Sequence, residues 1–440
     1  MRRFSFWHSL SLAANLFAFS ACSTSSPMAH GASSGSSSEA GPTVSDDASF
    51  ASSEGGDASS DDGAAAFTHD VVLTMNLTVP ANTELHQCQF VQVPAGADVN
   101  VVGFAHRYTL GSHHFLLYQT DLTAIPPDMT GQYDCTWGNE PIMQHSKNII
   151  YGAQKPSGAF PLPAGVGMTI PASSVLIMNT HYLNQNPDPI PTTVRVGLDT
   201  TTPDKVMTQA GAFLFYDPFI DVPANSKASS GGRCPVPADV TIVNAFTHYH
   251  YRGTKMQVWV DPMPTAPVAT PFFVTTDWEH PEDFRGPATW TKGSVVRFQC
   301  DYNNTEATEV LQGPNAKTSE MCVLAGIYYP KQPHSFELCD HYSTIGFGTT
   351  ACSATAKCLQ NCPPADAPMG VAIGPCWEHC VAAGCDGAVD RALLLSGCVA
   401  SQCATECSPS DGGAPGAACA TCQGTKCANE QTACAMQACP

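Results

Sequence analysis

Charge is scarce in this chain, and positive charge scarcest of all. Only 13% of the 440 residues are charged, and 19 Lys and Arg stand against 38 Asp and Glu, a formal net charge of −19. Such a surface repels phosphate backbones and anionic lipid headgroups, which excludes nucleic acid as a partner. Helical periodicity is also missing over most of the chain, whereas Gly and Pro number 35 each. That combination favours β-rich, turn-rich structure over helical bundles, and the length suits two or three domains. The apolar run that ends at Phe19 is too short, and too closely followed by polar residues, to span a membrane.

What that run does fit is export. Met1-Arg2-Arg3 precedes it and Ser20-Ala21-Cys22 closes it, the pattern of a bacterial secretion signal. Small residues directly before a cysteine resemble the lipobox of bacterial lipoproteins, with Cys22 as the lipidated residue; Phe19 departs from the usual aliphatic side chain there. The 21 cysteines are an odd number, and removing Cys22 leaves 20, enough for ten bridges in an oxidising compartment. The expectation is an exported protein: an outer-membrane or cell-surface lipoprotein with a lipid anchor, or a periplasmic or secreted chain. Residues 23–66 are Ser, Gly, Ala and Asp with almost no large apolar side chain, a tether that buries too little surface to fold.

From Asp70 the pattern changes. Leu73, Met75, Leu77 and Val79 alternate with Val72, Thr74, Asn76 and Thr78, a strand signal. Short strand-like runs recur at 99–104, 115–118, 175–182, 193–198, 256–260 and 295–299, separated by Gly, Pro, Asn and Asp. The sequence therefore predicts a mostly β protein: two antiparallel, jelly-roll-like sandwich domains over 67–204 and 205–346. Over 350–440 the composition shifts to cysteine, with repeated x3 and x4 gaps such as Cys398-x4-Cys403-x3-Cys407. Cysteines four apart share one helix face, so this segment is expected to be a small, disulfide-stapled helical module.

Four local features carry chemistry. In Thr247-His248-Tyr249-His250 the two histidines are two apart and point to one face of a strand. Two imidazoles on one face grip a transition metal, and a thioether third ligand selects Cu(I); Met321, in Ser319-Glu320-Met321-Cys322, is the candidate. In Ser112-His113-His114-Phe115 the adjacent histidines reach one metal only where the strand twists or bends. His181, in Met178-Asn179-Thr180-His181, would complete a three-imidazole site. His86, His106, His145, His280, His334 and His341 are read as ordinary histidines, with His106 the one to watch because it lies near the first pair.

The order His-His, single His, His-x-His-x-x-Gly, Glu-Met-Cys resembles the copper type II, ascorbate-dependent monooxygenases, the family of dopamine β-monooxygenase and peptidylglycine α-hydroxylating monooxygenase. The likeness covers roughly 68–345, and the stretch from Tyr151-Gly152-Ala153 to Val166-Gly167 adds to it. The resemblance implies that His113, His114 and His181 hold an electron-donating copper, and that His248, His250 and Met321 hold an oxygen-binding one. It implies bridges Cys88–Cys135, Cys234–Cys339 and Cys300–Cys322. Thr120 stands where the family has a further cysteine, and Phe115 where it has a methionine. Two sandwiches would face each other across a wet cleft, one copper in each. Ascorbate or an equivalent donor would supply electrons, and dioxygen would hydroxylate a C–H bond of a small-molecule substrate.

The substrate pocket departs from the peptide-amidating pattern. Phe246 replaces an arginine, Ala325 a tyrosine, and Asn179 a glutamine on the side that His181 faces. These changes argue against peptide amidation and suit a less polar substrate, although Arg252 lies close by. The alternative function is a non-catalytic surface copper-binding or sensing lipoprotein with the same ligands. Oligomeric state is not legible in these residues.

Overall fold

The computed structural model describes residues 67–94, 96–138, 140–339, 344–363, 373–407 and 416–439. Cys22, the signal and the 23–66 tether lie outside the described residues. From Thr68 onward the chain forms one compact unit. It is mostly β, with a disulfide-rich helical region at the C-terminal end.

The alternation that marks the first strand becomes a one-sided sheet face. In Val71–Val79, Leu73, Met75 and Val79 are buried while Val72 and Thr74 face solvent. The first sheet runs, in hydrogen-bonded order, Val71–Val79, Ile190–Thr201, Val99–Tyr108, Val166–Ile170 and Thr208–Gln209, with Ser157–Pro161 also paired to Val99–Tyr108. The second runs Gln132–Asp134, Thr83–Gln92, Val175–Asn184, Ser112–Thr120 and Ser146–Ala153. Their inner faces share one core that includes Met75, Val101 and Phe104 from the first sheet and Phe115, Leu117 and Met178 from the second.

Gln209 still pairs with Gly167, so the chain leaves the first sandwich only at Gly211, a few residues beyond the expected boundary. The second sandwich pairs one sheet (Phe284–Trp290, Val240–Tyr249, Cys322–Tyr329, Gly211–Tyr216, Leu338–Cys339) with another (Ser226–Pro235, Val295–Asn304, Gly253–Asp261, Phe273–Thr275). Phe213, Trp290, Phe298 and Tyr328 fill the core between them. A two-stranded ribbon, Asp221–Val222 with Val310–Leu311, leads into a loop whose ends are bridged at Gln312 and Glu320. The two sandwiches abut where Ile149, Tyr151 and Gly152 meet Phe246, Ala325 and Ile327.

Three bridges fasten the sandwiches: Cys88–Cys135, Cys234–Cys339 and Cys300–Cys322. At Thr120 the hydroxyl donates to the carbonyl of Val175 (2.6 Å) and accepts the amide of Leu122 (3.1 Å), so a hydrogen-bonded clip holds that strand end.

All fourteen cysteines of the C-terminal region are paired with one another. Cys398–Cys427, Cys403–Cys422 and Cys407–Cys419 step inward together, so helices Ala388–Gln402 and Ala404–Cys407 run antiparallel to Ala417–Lys426. Cys358–Cys380 and Cys362–Cys376 zip helices Cys352–Gln360 and Pro375–Ala382 in the same way. Phe219 of the second sandwich enters the module's core, and Glu378 accepts the amide of Gln312 at 2.8 Å. Among the described residues no helix is long and apolar enough to cross a membrane. Ten disulfides, seven of them in this module, point to an oxidising, extracytoplasmic setting.

Candidate metal centre

The adjacent histidines of the first motif meet because of a bulge. In the pairing of Ser112–Thr120 with Val175–Asn184, Ser112 lies opposite Tyr182 and His114 opposite His181, which leaves His113 as an extra, unpaired residue. The Ser112 hydroxyl donates to the carbonyls of His114 and His181 and braces the bulge. Both rings then turn to one side: a ring nitrogen from each of His113, His114 and His181 lies within 4.8 Å of the others.

His248 and His250 reach the same place from the end of Val240–Tyr249, with ring centroids 5.1 Å apart. Gly253 closes the turn behind them, and a Cβ there would collide with the Tyr249 ring. The Glu320 carboxylate accepts the amides of His250 (3.0 Å) and Arg252 (2.7 Å), which fixes the turn. The Arg252 guanidinium donates to the Lys317 carbonyl and to Glu306, so this arginine is spent on structure.

The two donor sets are in contact with each other. His113 lies 4.8 Å from His248 and 5.5 Å from His250 between centroids, His114 lies 4.7 Å from His248, and His113 is common to both histidine groups. The wet cleft implied by the resemblance is therefore absent between these rings; His181 and His250 are wholly buried, and His113 and His248 nearly so. Polar contacts across the sandwiches hold them shut. Gln154 donates to the Trp278 carbonyl (2.9 Å), Ala316 donates its amide to Glu84 (2.5 Å), and Lys155 pairs with Glu282 (3.0 Å).

Burial dominates the electrostatics. It pushes the pKa values of His113, His114, His181 and His248 well below the usual imidazole value, and the neighbouring imidazoles push the same way. Burial takes His250 down to about 3, although its bond to Ser319 opposes the shift. All five rings are thus neutral at pH 7, the form that ligates metals. Their hydrogen bonds choose the nitrogen that is left bare. His181 donates from Nε2 to Glu84 (2.7 Å), His248 from Nδ1 to Gln154 (3.2 Å), and His250 from Nδ1 to the Ser319 carbonyl (3.1 Å). What remains without a partner is His181 Nδ1, His248 Nε2, His250 Nε2, His114 Nδ1 and both nitrogens of His113. Buried polar atoms without partners are costly, and two groups of three imidazoles that share His113, the ring nitrogens of each group within 4.8 Å of one another, make donor sets suited to a soft or borderline transition metal.

Met321 follows Glu320 directly and is half-buried; its carbonyl accepts from the Tyr302 hydroxyl at 3.0 Å. Phe246 and Ala325 are cross-strand partners and line one narrow apolar cleft with Ile149, Tyr151, Gly152 and Ala212. Asn179 is not part of that lining: it is buried one row along its sheet and donates to Cys135 Sγ at 3.4 Å.

Sequence reasoning passed over two residues at the centre. His86 stacks on His181, centroids 3.7 Å apart and planes 23° from parallel, and Glu84 holds His181. Register brings them there, since His86 lies directly opposite His181, and no local motif marks it. His106 is fully engaged elsewhere: its Nδ1 accepts from the Tyr151 hydroxyl (2.6 Å) and its Nε2 donates to the Lys155 carbonyl (2.9 Å).

Residues 213–347 match the family model described as copper type II ascorbate-dependent monooxygenase, C-terminal domain. That span contains His248, His250 and Met321, while the first three histidines lie outside it. Peptidyl-glycine alpha-amidating monooxygenase of Mus musculus is 24% identical over 293 residues, 62% of this chain, and the chain spans 28% of that relative's length. Together the matches support a relationship to the copper type II monooxygenases, at low identity. Among solved structures, the major capsid protein P2 from bacteriophage PM2 aligns with 58% of this chain and 98% of its own at 9% identity and a TM-score of 0.24. The PBSX exported protein XepA aligns with 59% and 86% at 10% identity and 0.16.

Proposed function

We propose that this protein is a copper-dependent monooxygenase that hydroxylates a C–H bond of a small-molecule substrate with dioxygen and a one-electron donor such as ascorbate. The observation that carries the proposal is the set of buried, neutral imidazoles whose unpartnered nitrogens converge. The match of residues 213–347 to a copper monooxygenase domain supports the choice of metal.

His113, His114 and His181 would hold one copper and His248, His250 and Met321 the other. Bound copper would supply one-electron exchange with the donor and with dioxygen. The chain's own part is positioning. Glu84, Gln154 and the Ser319 carbonyl each hold the proton of one imidazole, so that the opposite nitrogen is presented bare. The Met321 thioether, a soft donor, favours the reduced ion. Phe246 and Ala325 would offer an apolar wall one step along the strand from His248, and neither carries a charge to pair with a substrate carboxylate. Tight contact between the sandwiches excludes water from the donor rings.

That same burial favours a second reading, copper binding without turnover, because a substrate reaches the rings only when the sandwiches part. Ascorbate-driven oxygen consumption by the copper-loaded full chain, screened against small apolar substrates, separates the two. Copper-dependent consumption that is abolished in His248→Ala supports the enzyme; bound copper with no consumption under any donor sinks it. Lipidation at Cys22, with the anchor it would provide, belongs to the same proposal and is tested by mass spectrometry of the exported protein.

A further inference from the structure

The loop Gln312–Met321 serves both donor sets. Its Ser319 carbonyl accepts from His250 Nδ1, and its Glu320 carboxylate holds the His250 and Arg252 amides. Its Ala316 carbonyl accepts the Tyr251 amide, and its Lys317 carbonyl accepts from Arg252. Those contacts stay inside the second sandwich. One other crosses to the first: the Ala316 amide donates to Glu84. The loop is closed at its base by the Gln312–Glu320 bridge and a bond from the Gly313 amide to the Glu320 carbonyl (3.1 Å), and it leads directly into Met321.

One atom joins the two halves. Glu84 Oε1 accepts both His181 Nε2–H at 2.7 Å and Ala316 N–H at 2.5 Å. The first bond keeps the His181 proton on Nε2 and leaves Nδ1 bare toward His113 and His114. The second ties the same oxygen to the backbone of the loop that ends in Met321.

Glu84, His86 and His181 also lie close enough to resemble a third metal site. Ring geometry argues against it. His86 and His181 are stacked at 3.7 Å with 23° between planes, so their in-plane lone pairs run side by side and do not converge on one ion. His86 instead packs His181 from one face while Glu84 holds its edge.

We propose that Glu84 is a positioning residue that couples the two donor sets, orienting His181 and anchoring the Gln312–Met321 loop through a single carboxylate oxygen. This rests on the copper reading above. Copper on His181 Nδ1 strengthens Nε2–H as a donor to Glu84, so occupancy of the first set favours the docked loop, and by reciprocity a docked loop favours occupancy.

The test uses the full chain as wild type, Glu84→Gln and Glu84→Asp. Glutamine keeps the shape and loses the charge; aspartate keeps the charge and falls one methylene short of both donors. In metal-free protein, amide exchange of residues 315–319 should be at least about tenfold faster in both variants, and wild-type protection in both overturns the anchoring. In copper-loaded protein, affinity at the first set should fall about 10- to 100-fold, the usual cost of losing a partner behind a histidine ligand. Electron spin echo modulation should show an altered quadrupole coupling of the remote His181 nitrogen in Glu84→Gln, a signature that a merely structural role would not move. Unchanged affinity together with an unchanged remote-nitrogen signal overturns the orienting role. A wild-type chain that binds no copper sinks the copper reading instead, and the exchange measurement still decides the anchoring.

Discussion

His113 offers the sharpest separation between a metal ligand and an ordinary core histidine. It is only 2% exposed, neither ring nitrogen has a partner, and it belongs to both histidine groups. Each unpartnered buried nitrogen costs about 1–3 kcal/mol, so the ring burdens the metal-free fold by about 2–6 kcal/mol. His113→Leu removes both polar atoms and keeps most of the volume, with a shape mismatch of about 1–1.5 kcal/mol. The metal-free variant should therefore be more stable than wild type by about 0.5–5 kcal/mol, read as a rise in Tm. Copper reverses the order. At a free concentration about 1,000 times Kd it stabilises wild type by about 4 kcal/mol, and the variant should gain little. Thermal melts with chelator and with copper read both arms. A metal-free His113→Leu that is less stable than wild type by about 2 kcal/mol or more would refute the reasoning, since it would mean the ring nitrogens are satisfied and the histidine is structural.

Met321→Ala should leave copper on His113, His114 and His181, remove sulfur scattering from the copper absorption-edge spectrum, and abolish turnover; retained turnover would remove Met321 from the site. Glu378 gives a pH dependence: burial pushes its carboxyl from the usual 4.5 up to about 9, with Asp221, Glu309 and Asp217 adding to the rise. The folded protein keeps that proton while the unfolded chain releases it. Stability from this group is therefore full below about pH 4.5 and falls as pH rises toward 9, by about 1.4 kcal/mol per unit at most. Denaturant unfolding at pH 5 and pH 8 should show a smaller loss in Glu378→Gln than in wild type; equal slopes would contradict the burial argument.

Much of this architecture is legible because it rests on local periodicity. The alternation over Val71–Val79 becomes a buried face, and His248 and His250 share a side because they are two apart in a strand. Cysteine spacing announces a stapled helical module, and the antiparallel zippers explain the repeated gaps. Other features depend on register, which a single strand's pattern does not carry. The bulge that turns His113 toward His114 comes from pairing with Val175–Asn184. Glu84 and His86 become part of the centre only because Thr83–Gln92 lies beside His181. Likewise the closure of the sandwiches comes from Gln154, Ala316 and Lys155, contacts between residues 124 to 232 positions apart that no local motif signals. Asn179, which stands where the resembled family has a glutamine two positions before His181, donates to Cys135 Sγ, a contact the strand pattern does not signal.

The most direct test of the account is copper per chain after the oxidatively folded protein is loaded and dialysed. Two equivalents should be retained, with both donor sets filled. One equivalent or none would contradict it, because the histidines and Met321 would then not assemble as two copper sites.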